Sequence, residues 1–188
     1  MRKIFARLFS SLWFLGLITL IVFPLLAWLI LWLRDIPLFS IFEISQKEVY
    51  SLPAFAAYGI IFALFIIWFT EHPFFEKSMK RYKNLLSQFK INYFYAVFLA
   101  ICAGVGEEIF FRGAVQPLLG IILTAFVFVA VHGYYDFKNW KVNLFAIALT
   151  GFIVLIGWGA AEYSLWHAIL PHFTYDLVLL IYAIRKQD

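Results

Sequence analysis

Cysteine and charge are both scarce in this chain. It has 188 residues and one cysteine, Cys102, so no disulfide can form within it. Cys102 sits inside an apolar run and reads as a small buried apolar group. Charged residues are 14% of the total, too few to cover a soluble domain of this size. The net charge is +4. The basic residues fall between apolar runs, as membrane topology signals do, which argues against a nucleic-acid partner. No Gly-x-Ser-x-Gly and no Ser-His pairing stand in the apolar core, so a serine mechanism is not expected. The sequence also has no HExxH, no internal repeat, no low-complexity tract and no flexible linker.

Apolar residues are plentiful instead. They make up 64% of the chain, and the mean hydropathy is +0.89. This implies an all-α, polytopic membrane protein, an integral part of the lipid bilayer. The pattern predicts about six transmembrane helices, over 8–33, 52–70, 91–119, 121–136, 142–159 and 162–184, plus one amphipathic surface helix within 71–90. The first run is too long for a signal-peptide core, and Pro24 inside it predicts a kink. Residues 1–90 thus supply two spans and the surface segment, and 91–188 a four-helix catalytic core, within one membrane domain. Aromatic content is 21%. Trp28, Trp32, Trp68, Trp140, Trp158 and Trp166 fall near predicted helix ends, as an interfacial belt would. Six spans place nearly all the basic residues on one side, against Arg34 and Lys47 on the other. Both termini are therefore expected on the cytoplasmic side, with a bacterial cell membrane as the setting.

One stretch organises the rest: Gly106-Glu107-Glu108-Ile109-Phe110-Phe111-Arg112-Gly113. Ionisable groups inside an apolar span are costly, and they mark function. Glu108 and Arg112 are four apart, so they share a helix face and can pair. Glu107 lies about 100° round the helix and lacks that partner, which suits a general base. The plainer alternative is a structural ion pair with a spare acid.

The histidines add to this. His132 closes the run Phe128-Val-Ala-Val-His132, and His172 and Asp176 share a face of the last helix. Glu108 and His132 are equally far from Gly120, the predicted turn, so both lie ~18 Å from it. His172 lies ~15 Å past Glu162, counted as the start of the last helix. Three helices then bring Glu, His and His to one level, nearer the sparsely charged side. His167 faces elsewhere and reads as structural, and His72 precedes Pro73 in a loop without a role.

These residues resemble the CPBP family of intramembrane proteases (CAAX protease and bacteriocin-processing, or Abi). Glu107-Glu108-Ile-Phe-Phe-Arg112-Gly113 is similar to the family's EExxxRG. Phe128 to His132 is similar to FxxxH, and His172-Phe-Thr-Tyr-Asp176 to HxxxN/D. The resemblance implies an all-helical bundle and an intramembrane endopeptidase acting on a membrane-associated or prenylated protein or peptide. It implies that Glu107 and His132 activate water and that His172 and Asp176 stabilise the oxyanion. Glu108 and Arg112 would then support the site. Two features depart from the family pattern. The third motif ends in Asp rather than the commoner Asn, and the interval from Glu108 to His132 is short. An ionised Asp cannot donate to an oxyanion, so Asp176 is protonated, orients His172 or helps bind a metal.

Two water mechanisms follow. In the favoured one no cofactor is required. In the other, Glu107, His132 and His172 hold a divalent ion such as Zn²⁺. A proton-coupled carrier and a non-catalytic immunity or scaffold protein are the rival function classes.

Overall fold

The computed structural model describes residues 12–79, 91–136 and 138–186. Among the described residues it is all-helical, without strands. Among the described residues five stretches are long and apolar enough to cross a membrane, where the pattern predicts about six. The difference lies in one place. Helix α1 is Leu12–Trp32 and α2 is Leu52–Glu71. Helix α3, Tyr93–Ile101, runs without a break into π-helical turns at Cys102–Glu107 and Ile109–Val115. Helix α4, Gln116–Val131, follows at once. The whole run Tyr93–Val131 counts as one apolar stretch, but it is bent double at Gly120.

Gly120 has φ 75° and ψ 167°, outside the helical region, a conformation open to glycine at little steric cost. Beyond it the chain turns back, so that Phe111 meets Phe128 with ring centroids 4.9 Å apart. The returning arm, 121–131, rises only ~17 Å, about half of a bilayer core. It ends at Val131 with His132 as the C-cap, so the span expected over 121–136 is a half-span. An irregular segment then leads to α5, Trp140–Glu162. Helix α6 is Trp166–Arg185. It starts after Glu162, not at it, so the depth count from Glu162 used the wrong origin.

The two ends of the bundle are distinct. At one end, Lys141 Nζ donates to Phe74 O at 2.7 Å, Lys186 pairs with Glu71 at 2.6 Å, and Trp13 packs on Tyr95. Lys77, Lys138 and Arg185 belong to this basic end too. At the other end, Trp166 donates to Phe42 O and Gln116 Nε2 donates to Gly157 O at 2.8 Å. Arg34 and Lys47 are its basic residues. Of the expected amphipathic segment, residues 73–79 are helical. Its remainder, 80–90, lies outside the described residues, as do Arg2, Lys3 and Arg7.

The core sits between α2, α4, α5 and α6. Ala63, Ile66, Phe128, Val129, Phe152, Ile156 and Tyr175 are buried in one cluster, where close van der Waals packing holds the helices in register. Helix α2 lies along α6, and Thr174 Oγ1 donates to Ala56 O at 3.0 Å between them. Helix α1 packs against the π-helical stretch through Ala27, Leu31, Ile109 and Ala114. Pro24 stands inside α1. The outward tryptophans Trp28, Trp32, Trp68, Trp140 and Trp158 are exposed, as an aromatic belt requires.

Candidate active site

The π-helical stretch positions both carboxylates. Such widened turns are rare and occur most often at functional sites. Here they carry Glu107, Glu108 and Arg112 on one continuous, membrane-depth segment. The two adjacent carboxylates then serve different imidazoles.

Glu108 belongs to a buried chain of charges. Its Oε1 accepts from His172 Nδ1 at 2.6 Å, and its Oε2 lies 3.0 Å from Arg112 Nε. That second contact is a close charge pair without hydrogen-bond alignment. Glu108 is fully buried and Arg112 nearly so. The Arg112 guanidinium also lies over the Phe128 ring, 4.9 Å from its centroid, a favourable use of the ring's negative face. On the far side of His172, Nε2 is 3.5 Å from Asp176 Oδ2. Arg112, Glu108, His172 and Asp176 therefore alternate basic and acidic groups, so each buried group has an opposite type beside it.

Glu107 meets the other imidazole. Its Oε2 is 3.5 Å from His132 Nε2, so the acid expected to stand without a cation has a titratable partner. His132 Nδ1 donates to Phe128 O at 2.7 Å. A carbonyl only accepts, so the Nδ1 proton is fixed there and Nε2 alone is left to face Glu107. With Nδ1–H donated, Nε2 of a neutral imidazole is an acceptor like the carboxylate, and no hydrogen bond joins it to Glu107 Oε2. The Glu107 and His132 side chains are 12% and 31% exposed, against 0% for Glu108. Glu107 Oε2 itself is buried, so the first pair meets the cavity mainly through His132.

The first pair and the His172 of the second border one cavity of about 410 Å³. Glu107, His132, His172 and Asp176 line it at one level. Leu99 of α3, Leu149 of α5 and Leu179 and Leu180 of α6 carry its wall from there towards the basic end. The depth count put the site nearer the sparsely charged side, yet the cavity extends the other way. Phe128 binds the level together: its ring lies 4.5 Å from that of His132 and 5.8 Å from that of His172.

All six residues singled out from the sequence are thus brought together. His167 is not among them. It is buried, with Nδ1 2.9 Å from Ser164 Oγ and Nε2 2.8 Å from Ser51 Oγ, a satisfied pin between the starts of α2 and α6. His72 stays outside the site and accepts from Phe74 N. The sequence reading missed other wall residues: Leu15, Gly16 and Thr19 of α1, and Tyr134 in the segment after α4. Cys102, read as merely buried, also borders the cavity.

A metal-ligating histidine keeps one nitrogen for the ion and donates the other to a carbonyl or carboxylate. Here the nitrogens held by Phe128 O and Glu108 leave the Nε2 of each imidazole facing Glu107 or Asp176. Among the described residues, no three His, Cys, Asp or Glu side chains converge as a metal site needs.

The chain matches no curated protein and no solved structure. Residues 89–178 match the family model described as type II CAAX prenyl endopeptidase Rce1-like. That stretch holds Glu107, Glu108, Arg112, His132, His172 and Asp176, and the match agrees with the resemblance of its three motifs to the CPBP family.

Proposed function

We propose that this integral membrane protein is an endopeptidase in which Glu107 and His132 ready one water for attack on a peptide carbonyl. The observation that carries the reading is the Glu107–His132 pair at 3.5 Å, set in a cavity that also holds His172 and Asp176. Water bound between Oε2 and Nε2 gives its proton to the pair as its oxygen bonds to the carbonyl carbon. The carbonyl oxygen takes up negative charge and is met by the N–H of His172. The carbon–nitrogen bond then breaks, and the pair returns the proton to the departing amine.

Asp176 orients His172. With Nδ1–H donated to Glu108, a proton on Nε2 is held between Asp176 and the cavity, and the imidazolium is the donor. Glu108 and Arg112 support it from behind. The scheme runs without a metal ion, a choice supported by the lack of a converging donor set among the described residues.

Membrane-associated proteins or peptides are the proposed substrates, and the family description favours prenylated ones. The largely apolar cavity wall suits a lipid-modified segment. The excess of basic residues at the end towards which the cavity extends supports a cytoplasmic opening, with both termini on that side.

The test uses purified protein in proteoliposomes and a farnesylated fluorogenic peptide ending in a CAAX motif. Cleavage by the wild type, abolished in Glu107→Ala at an unchanged melting temperature, is expected. Full turnover in Glu107→Ala would remove the scheme. An inert wild type whose phenotype survives Glu107→Ala would favour a non-catalytic scaffold, and substrate uptake lost in that variant would favour a carrier.

A further inference from the structure

The contact of His172 Nδ1 with Glu108 Oε1 at 2.6 Å ties α6 to the π-helical stretch. Its geometry depends on where the backbone of α6 is held, and at this point α6 is weak by itself. Pro171 stands inside the helix, one residue before His172. It has no N–H, so this turn lacks the bond that would tie it back to His167 O. Support has to come from the neighbouring helices.

Helix α2 supplies it, although none of its residues lines the cavity. A Cβ added to Gly59 would overlap Pro171 O and Thr174 Oγ1 and lie 2.8 Å from Pro171 Cα. Two of those three atoms are backbone and cannot swing aside. Only a glycine lets two helix backbones come this close. Beside it, the Thr174 hydroxyl donates to Ala56 O at 3.0 Å, with Pro171 O at 3.1 Å. The π-helical stretch meets the same turn from another side. A Cβ on Gly104 would lie 3.0 Å from Phe173 N and 3.1 Å from Phe173 Cα. Successive helix residues point ~100° apart, so His172 projects away from both contacts, towards Glu108 and the cavity. The turn 171–174 is therefore gripped at backbone level from two sides, and the imidazole leaves from the third.

We propose that Gly59 of α2 is a positioning residue for His172. Its missing side chain seats the turn 171–174 against α2 and so sets the imidazole at its 2.6 Å from Glu108. Gly59 acts through the backbone of Pro171, not on the reacting atoms. The inference rests on the endopeptidase reading above, in which His172 is the oxyanion donor. It extends the site to a helix that lies outside residues 89–178 and outside all three sequence motifs.

The test compares wild type, Gly59→Ala, Thr174→Ala and Gly151→Ala in proteoliposomes. It reads turnover of the farnesylated peptide, binding of its phosphinate analogue, which mimics the tetrahedral intermediate, and melting temperature. Gly151 of α5 is the control, because a Cβ there meets nothing within 4 Å. Gly59→Ala is expected to lower kcat by about 10²-fold, the usual effect of a misplacement of about 1 Å. KM should stay nearly unchanged and phosphinate binding weaken by a similar factor. Thr174→Ala keeps the glycine and loses one neutral hydrogen bond, so kcat should fall by up to about tenfold with the same split. Gly151→Ala should match the wild type. If Gly59→Ala melts earlier but its folded fraction turns over and binds the phosphinate like the wild type, the contact is packing alone and the proposal is overturned. A raised KM at unchanged kcat overturns it too. Should Gly59→Ala fail to fold, Thr174→Ala decides, and wild-type kcat and phosphinate affinity in that variant overturn the proposal. A wild type that neither cleaves the peptide nor binds the phosphinate defeats the endopeptidase reading, and this inference with it.

Discussion

His172 Nδ1 lies 2.6 Å from Glu108 Oε1, and both groups are buried. This contact joins the first and third sequence motifs and leaves Glu108 no access to water. Glu108 also faces Arg112 at 3.0 Å. Its carboxylate is thus the counter-charge for two groups, and Glu107 stands beside it with a different task.

Removing that charge should unfold the site rather than merely slow it. Glu108→Gln leaves the Arg112 guanidinium buried without an anion, and breaking a buried pair from one side costs about 3–5 kcal/mol. The expected result is a clear loss of resistance to thermal or denaturant unfolding in micelles. Glu108→Gln with wild-type stability would mean that the buried charges are balanced elsewhere.

Glu107→Gln should do the opposite. Its side chain faces the cavity and His132, not Arg112. Turnover should fall by about 10²–10⁴-fold, the usual worth of a positioned proton acceptor, with stability unchanged. Because Glu107 and His132 act on one water, Glu107→Gln/His132→Gln should be little worse than either single variant. Additive losses in kcat would indicate that the two residues serve separate steps.

The parts of this site that were legible in the sequence were the ones that are expensive to bury. Glu107, Glu108, Arg112, His132, His172 and Asp176 stand out because few ionisable residues occur in lipid without a purpose. Leu15, Gly16 and Tyr134 were not legible, because a cavity wall and a lipid-facing surface call for the same apolar and aromatic residues. The π-helical turns at Cys102–Glu107 and Ile109–Val115 shift backbone hydrogen bonds by one residue and leave no mark on hydropathy. Hydropathy also ran past Val131, where α4 stops, since His132 is followed by Gly133 and two tyrosines before any charge. The turn at Gly120 was legible, because a glycine between apolar arms marks where a hairpin can reverse.

Chelation gives a third test. Among the described residues, no three His, Cys, Asp or Glu side chains converge as a metal site needs. Peptide cleavage by protein treated with 1,10-phenanthroline and then dialysed should match that of untreated protein. Activity that disappears on this treatment and returns with added zinc would overturn the metal-free scheme.

The last prediction concerns α1, which lies outside residues 89–178 and yet closes one side of the cavity through Leu15, Gly16 and Thr19. A Cβ placed on Gly16 would lie 3.3 Å from Cys102 Sγ, so a sulfur added to it can reach the ~2 Å S–S bonding distance. Gly16→Cys should therefore cross-link to the native Cys102 under mild oxidation, because it is the only cysteine pair the variant contains. The bridge is read as loss of maleimide labelling on both thiols, restored by reductant. Cleavage of the farnesylated peptide should fall on oxidation and recover on reduction, since the link fixes α1 at the wall of the space the substrate must occupy. Gly16→Ser, which adds similar bulk without a link, separates the bridge from crowding by keeping its activity under both conditions. Failure of Gly16→Cys to cross-link would mean that α1 does not close the cavity at this level, and that the catalytic space is open to lipid where Leu15 and Thr19 now border it.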